Sequence, residues 1–363
     1  MAATTMPALR PLTMGQLLDQ AVRIYRRNFL RFIAIIAVMQ VPLTLLQAGL
    51  SLLTVTGVFD YVRYPSRYEG NLLGLFPPST LAALAGSLLL NLVGFFLVNG
   101  VAAAAVTRAV GDHYLGRPAS FLGAFRRIGR SWPRLIGALL LALVLSIGLA
   151  LWWILVPCLG WFTGFGLLLF LWQVIVPVVA PVVVLERQRA ARSLRRAWDL
   201  VRRRFWWVAG FAAILFLFNR LIVAGPSSLL NVVFRALILD SRGPQEAFGT
   251  LVLQTVVQSL VSLVAGLLYL PLQLTAMTLL YFDLRVRTEG LDLAFLAQGV
   301  LGDPAEAADL LAQLPVPGKG HLVTWKEIGY FALISMGASG VFGVLYLALS
   351  LLLALLLLFS GAL

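Results

Sequence analysis

Cysteine is nearly absent from this chain, where Cys158 stands alone. A single thiol excludes an intrachain disulfide and any zinc cage built on cysteines. Histidine is almost as scarce, with only His113 and His321. They lie far apart in sequence and neither has a carboxylate cluster beside it, so no metal or cofactor site is assigned. No Gly-rich phosphate loop, metalloprotease helix or nucleophile elbow is present. No catalytic residue is therefore assigned, and an enzyme is not expected.

Charge is the next shortage. Charged residues make up 12% of the 363 positions and apolar ones 60%, with a mean hydropathy of +0.93. Soluble domains carry about a quarter charged residues. Five uncharged runs, 32–59, 79–107, 135–185, 247–282 and 328–363, each reach the roughly 20 residues a helix needs to cross a bilayer. The third is long enough for two crossings. Pro157 and Gly160 near its middle mark a turn, flanked by Trp152, Trp153, Trp161 and Phe162 as at a membrane interface. The Gly-rich run from Gly160 to Gly166 is assigned to that same turn. A further crossing starts at Phe205 and runs to a break at Gly225-Pro226. The expected fold is an all-α integral membrane protein of about seven transmembrane helices.

The net charge of +13 suggests nucleic acid until its placement is considered. Of the 28 lysines and arginines, 23 fall before Phe32 or within 108–134, 187–204 and 285–326. These segments alternate with the others across the spans. The positive-inside rule then places the N-terminus and these loops in the cytoplasm of a bacterial inner membrane and the C-terminus outside, with no nucleic-acid partner.

An internal repeat organises these segments. Three copies of a basic amphipathic stretch, each leading into an outgoing and a returning span, align on Phe29, Trp132 and Phe205. Leu18, Ala21, Val22 and Tyr25 form the apolar stripe of the first copy, Phe121, Ala124, Phe125 and Ile128 that of the second, and Leu194, Ala197, Trp198 and Val201 that of the third. The opposite faces carry Arg23, Arg26 and Arg27, then Arg126, Arg127 and Arg130, then Arg195, Arg196, Arg202 and Arg203. Such helices lie in the interface with their arginines toward lipid phosphates. Two roles stay open for them: to anchor and orient the spans, or to form a collar that recognises anionic lipid or an acidic partner.

At the end of the third copy, Asp283 and Arg287, and Arg285 and Glu289, are spaced to bridge along one helix that Gly290 then ends. As exposed pairs they fix the point where the span leaves the membrane. The segment from Tyr281 to Gly290, the exit Val184-Leu185-Glu186 with the Arg-rich helix through Trp198 and Val201, and the entry Tyr25-Arg26-Arg27-Asn28-Phe29 resemble the bacterial glycerophosphoryl diester phosphodiesterase membrane-domain family over residues 10–295. The family's name comes from members that join this region to a phosphodiesterase domain. The resemblance implies a six-span membrane module and says little about activity; the soluble stretch 283–327 is itself too short for an enzyme barrel.

Beyond the module, 1–290, the chain adds a cytoplasmic linker, 291–327, and a last apolar run, 328–363. A short helix is expected to open in the linker at Asp303-Pro304 with Glu306 in its first turn. Gly337, Gly340 and Gly343 thin the last run for close helix contact, and two readings stay open for it: a seventh span that docks on the module or on a membrane protein partner, or a loosely associated anchor.

Ionisable residues within spans usually mark chemistry or ion-coupled transport. None of the fifteen acids lies inside a run; Asp60, Asp240 and Asp283 sit at edges. Arg220 and Arg235 remain, the latter on an outer interfacial or re-entrant helix; Arg220 either snorkels outward on its own or joins Arg235 in a candidate anion site for a lipid head group. Asn91, Asn99, Gln173, Asn219, Gln254 and Gln258 are read as bonds between spans. The leading function is a non-enzymatic scaffold or accessory module that engages anionic lipid or partner proteins at the cytoplasmic face. Its alternative is a transporter or flippase-like protein for a lipid or amphiphile.

Overall fold

The computed structural model describes residues 10–64, 78–114, 129, 131–241, 243–297, 311 and 323–359. The expected helix at Asp303 and the arginines of the second copy, Arg126 and Arg127, lie outside the described residues. Among those described, the chain is helical and has no strand. Six helices are long and apolar enough to cross a membrane. They are α2 (Phe29–Arg63), α3 (Pro78–Tyr114), α4 (Ser131–Leu155), α5 (Leu159–Leu185), α7 (Phe205–Leu239) and α8 (Pro244–Glu289). Between them lie the amphipathic α1 (Met14–Arg27) and α6 (Ala190–Arg202), and after them the short α9 (Leu291–Ala297) and the 35-residue α10 (Trp325–Phe359).

The start of α1 is set by a capping box. The Thr13 hydroxyl accepts from the Gln16 amide at 3.3 Å, and the Gln16 side chain accepts from the Thr13 amide at 3.1 Å. The helix then buries Leu17, Ala21, Ile24 and Tyr25 against α8, where the Tyr25 hydroxyl donates to the Leu268 carbonyl at 3.0 Å. The expected stripe is rotated by part of a turn: Val22 faces outward and Leu17 and Ile24 take the inner positions. In α6 the rotation matters more. Ser193, Arg196, Ala197, Leu200 and Val201 are its buried residues, so Arg196 belongs to the inner face.

Gly225-Pro226 does not break the seventh helix, which corrects the reading of a separate re-entrant segment. A π-helical turn, Arg220–Ala224, precedes the proline and widens the backbone where its ring would otherwise meet the carbonyl four residues back. The same device precedes Pro177, with a π turn at Leu171–Ile175. Helix α8 ends as expected at Gly290, whose left-handed backbone lets its amide donate to the Val286 carbonyl at 3.2 Å.

The hairpin turn lies at Val156, Pro157 and Cys158, and Gly160–Gly166 belongs to α5 rather than to the turn. These glycines permit contact. A Cβ on Gly164 would sit 2.6 Å from the Trp153 side chain, and one on Gly166 only 2.3 Å from the Phe331 carbonyl oxygen of α10. Thus α10 reaches backbone contact with α5, and the Gly166 amide donates to the Ser335 hydroxyl at 2.6 Å. Phe331 fits between Phe170, Trp198 and Phe205.

The bundle has two unlike ends. At the end that carries α1 and α6, the last turns of the returning helices α3, α5 and α8 are buried: Ala102 to Val106, Val178 to Leu185 and Leu274 to Val286. Alanine and valine on α3 and α5 let these helices approach closely. Toward the other end, large apolar residues such as Leu45, Leu88, Leu145, Leu229 and Leu260 are exposed. Lipid is the solvent that accepts such a surface.

Candidate functional site

Two features stand out, a buried charge network at the α1/α6 end and a pair of polar cavities midway along the helices. The network forms where three elements meet. Helix α5 stops at Glu186, α6 brings in Arg196, and α8 contributes Tyr281, Arg285 and Glu289 on successive turns of one face. Arg196 sets Nη1 and Nη2 on Glu289 Oε1 and Oε2 at 2.5 and 2.7 Å, and its Nε donates to Glu186 Oε2 at 3.1 Å. Arg285 donates to Glu289 at 3.0 Å through Nε and to the Tyr281 hydroxyl at 3.0 Å through Nη1. Tyr281 in turn donates to Glu186 Oε1 at 2.8 Å.

Exposure decides what this cluster is. Tyr281 is fully buried, Arg285 is 1% exposed, Arg196 4% and Glu186 5%. Two carboxylates face two guanidiniums, so the charges cancel inside the fold. Burial alone would lower the Arg196 pKa, but hydrogen bonds and attraction from Glu289 and Glu186 more than offset it, and the net shift is upward. The arginine is held charged, with Nε and Nη2 donating to the two carboxylates. Such a network locks elements together, and within it the buried Arg196 Nη1 and Glu289 Oε1 are in ion contact without forming a hydrogen bond.

A second lock shares α8. Asp283, 3% exposed, accepts from the Leu12 amide at 2.8 Å and from Arg287 Nε at 2.7 Å, while Arg287 also donates to the Leu12 carbonyl and lies over the Trp207 ring. Both expected pairs along α8 therefore form. Their environment differs from the exposed exit expected, because they are interior and bind distant segments.

The arginine face divides accordingly. Arg26 and Arg27 are exposed on α1, and Arg203 is exposed while donating to the Thr288 carbonyl at 3.3 Å. Arg195 is half-buried, and Arg202, also half-buried, pairs with Asp199 at 3.5 Å. Arg196 is removed from the lipid-facing set by its burial. The paired site of Arg220 and Arg235 is also corrected. Both are exposed on the single helix α7, where fifteen intervening steps put them roughly 22 Å apart along the axis. Arg220 instead stacks on Phe216, 4.7 Å from the ring centre.

The cavities gather most of the polar residues expected to bond between spans. The larger, about 510 Å³, lies among α2, α3 and α8 and is lined by Gln40, Gln47, Asn91, Asn99, Gln258 and Ser262 among others. The smaller, about 390 Å³, is bounded by Asn99, Gln173, Asn219 and Gln273. Asn99 borders both. Only Gln254 acts as expected, donating to Asn231 across α8 and α7 at 2.9 Å. Asn91 and Asn99 donate to carbonyls of their own helix, Ser87 and Phe95, at 2.8 and 3.2 Å.

The buried network was legible in part. Ser193, Arg196, Ala197, Leu200 and Val201 follow the i, i+3, i+4, i+7, i+8 spacing of one helix face, which would have turned Arg196 inward had Ser193 been counted with the apolar stripe. The scarcity of acid in 180–204, only Glu186 and Asp199, was a second signal. In comparisons with known proteins, the chain matches no family model, no curated protein and no solved structure.

Proposed function

We propose that this protein is a non-enzymatic membrane module that engages anionic lipid, or a partner protein, at a cytoplasmic arginine face. One observation carries the reading: Arg26, Arg27 and Arg203 are exposed at the end of the bundle where Glu186, Asp283 and Glu289 are consumed internally. The inner carboxylates cannot neutralise the outer arginines, so that surface stays positive. Phosphate headgroups are its natural counterpart, at about 1 kcal/mol per arginine near the membrane surface.

The orientation, with this end in the cytoplasm of a bacterial inner membrane, follows from the same charge asymmetry. We further propose three repeated units in the manner of the glycerophosphoryl diester phosphodiesterase membrane-domain family, with α10 added as a seventh span. The burial register supports the units. Phe32, Ile35 and Ile36 on α2, Leu135, Ala138 and Leu139 on α4, and Val208, Phe211 and Ala212 on α7 are buried at the same offsets from Phe29, Trp132 and Phe205. A second reading, passage of an amphiphile between the units, is favoured by the two polar cavities that meet at Asn99.

Native mass spectrometry of the gently extracted protein, intact and lacking residues 326–363, tests the first reading. Retained anionic lipid on both forms supports the arginine face, and a protein partner that is lost on truncation supports docking through α10. Neither lipid nor partner on the intact chain would sink the proposal.

A further inference from the structure

The larger cavity has a chemistry of its own. Every residue that lines it is uncharged, and amides and hydroxyls alternate with Leu43, Leu90, Phe95, Val98 and Leu263. Amides and hydroxyls set in an open, largely apolar cleft of a membrane bundle are costly unless something satisfies them. Phosphate is a poor candidate, because no cation reaches the lining.

The lining holds unpaired acceptors, beside the amides of Gln47 and Gln258, which make no hydrogen bond to a described residue and can both donate and accept. Gln40 Oε1 is buried and accepts from no partner. The rest of the Gln40 amide is pressed against α8, where a Cβ on Gly266 would lie 2.5 Å from Nε2. Asn91 and Asn99 commit their NH2 groups to their own helix and receive no hydrogen bond from a described residue at Oδ1. Three acceptors thus lack donors while Gln47 and Gln258 offer donors too, so a hydroxyl, which donates and accepts, fits this lining. The volume, about 510 Å³, suits a headgroup rather than a few waters.

We propose that this cavity is a binding site for the uncharged, hydroxyl-bearing headgroup of a membrane amphiphile, of the diacylglycerol or glycosyl-diacylglycerol class. Its hydroxyls donate to Gln40, Asn91 and Asn99, and its chains lie along the leucines of α2 and α3. The site is separate from the arginine face and does not require that the ligand be moved.

The test uses the full-length protein in a detergent without sugar or hydroxyl-rich headgroups. Dioctanoylglycerol and its glucosyl derivative are titrated by thermal shift, beside the 3-methoxy ether, which lacks the donor, and dioctanoyl phosphatidic acid. Saturable stabilisation by the hydroxyl probes, at least tenfold weaker for the ether and for Gln40→Leu/Asn99→Leu, is the expected result. The double variant should keep its response to phosphatidic acid, which reports the arginine face. Photo-crosslinking of a diazirine-bearing dioctanoylglycerol to wild type, expected within 40–47 and 91–99, keeps the test valid should the variant not fold. No saturable binding of either hydroxyl probe, equal binding of the ether, an undiminished response in the folded variant, or crosslinks elsewhere would each overturn the proposal.

Discussion

The Tyr281 hydroxyl donates to Glu186 across 95 residues of sequence, at 2.8 Å and with both side chains buried. Each then leads to an arginine, Tyr281 to Arg285 and Glu186 to Arg196. The end of α5 is thereby tied to α6 and α8 through side chains alone.

Replacing Glu186 with Gln should destabilise the fold more than replacing Tyr281 with Phe. The first leaves Arg196 and Arg285 with one carboxylate between them, and breaking a buried pair costs about 3–5 kcal/mol. The second removes a hydrogen bond to a charged group, worth about 1.5–3 kcal/mol. Reversible unfolding in mixed detergent micelles gives both values, and an equal or inverted order would show that the carboxylate is not the hub.

Asp283→Asn should release the start of the chain without opening the centre. It weakens the grip on both Leu12 and Arg287. Hydrogen exchange is expected to rise at residues 12–17 and to stay unchanged in 274–282. Uniform loss of protection along α8 would contradict this division.

Gly166→Leu should displace α10, since the new side chain meets backbone that has little room to move. Overpacking of this kind costs about 1–3 kcal/mol. In a chain lacking residues 326–363 the same substitution should cost much less, and the double-mutant difference isolates the contact. An undiminished cost in the shortened chain would place the strain elsewhere.

Stability should hold from neutral pH to about 10 and fall above it through Tyr25. Burial raises the pKa of this phenol, so the folded state keeps the proton that the unfolded chain gives up near 10. The contribution is therefore complete below the unfolded pKa and is lost as pH rises through the folded one. Tyr25→Phe should make this alkaline limb shallower, and an identical pH profile in the variant would assign the loss to other groups.

Substituting Arg26, Arg27 and Arg203 together with Gln should cut retention on anionic vesicles by about 3 kcal/mol at low salt, with a smaller loss at high salt. Arg220→Ala should leave retention unchanged, because that guanidinium rests on Phe216. Flotation at two salt concentrations reads both effects.

The helices were legible because long apolar runs and interfacial tryptophans are local signals, and so was the end of α8, where Gly290 supplies the left-handed residue. What the sequence hid was depth. The pairs of α8 were visible at i, i+4 but read as exposed, since whether a charge meets water depends on partners 95 or 271 residues away. Gly160 to Gly166 suggest a turn in the sequence because glycine marks both turns and close approach, and only the seat of Phe331 distinguishes them. The cavities escaped for a similar reason. An amide facing a neighbouring helix and an amide facing a hollow look alike until the helices are placed.

The grip of Asp283 and Arg287 on Leu12 makes the six long helices a closed circuit, in which the entry to the first is held by the exit of the last. A circuit has no privileged starting point. A permuted chain that opens at α6, with residue 290 joined by a short linker to residue 10, would omit α9 and α10 but keep these contacts within a continuous stretch, and within 10–290 it would cut only the turn at 187–189. The order in which the helices leave the ribosome is thus a choice the final architecture does not impose.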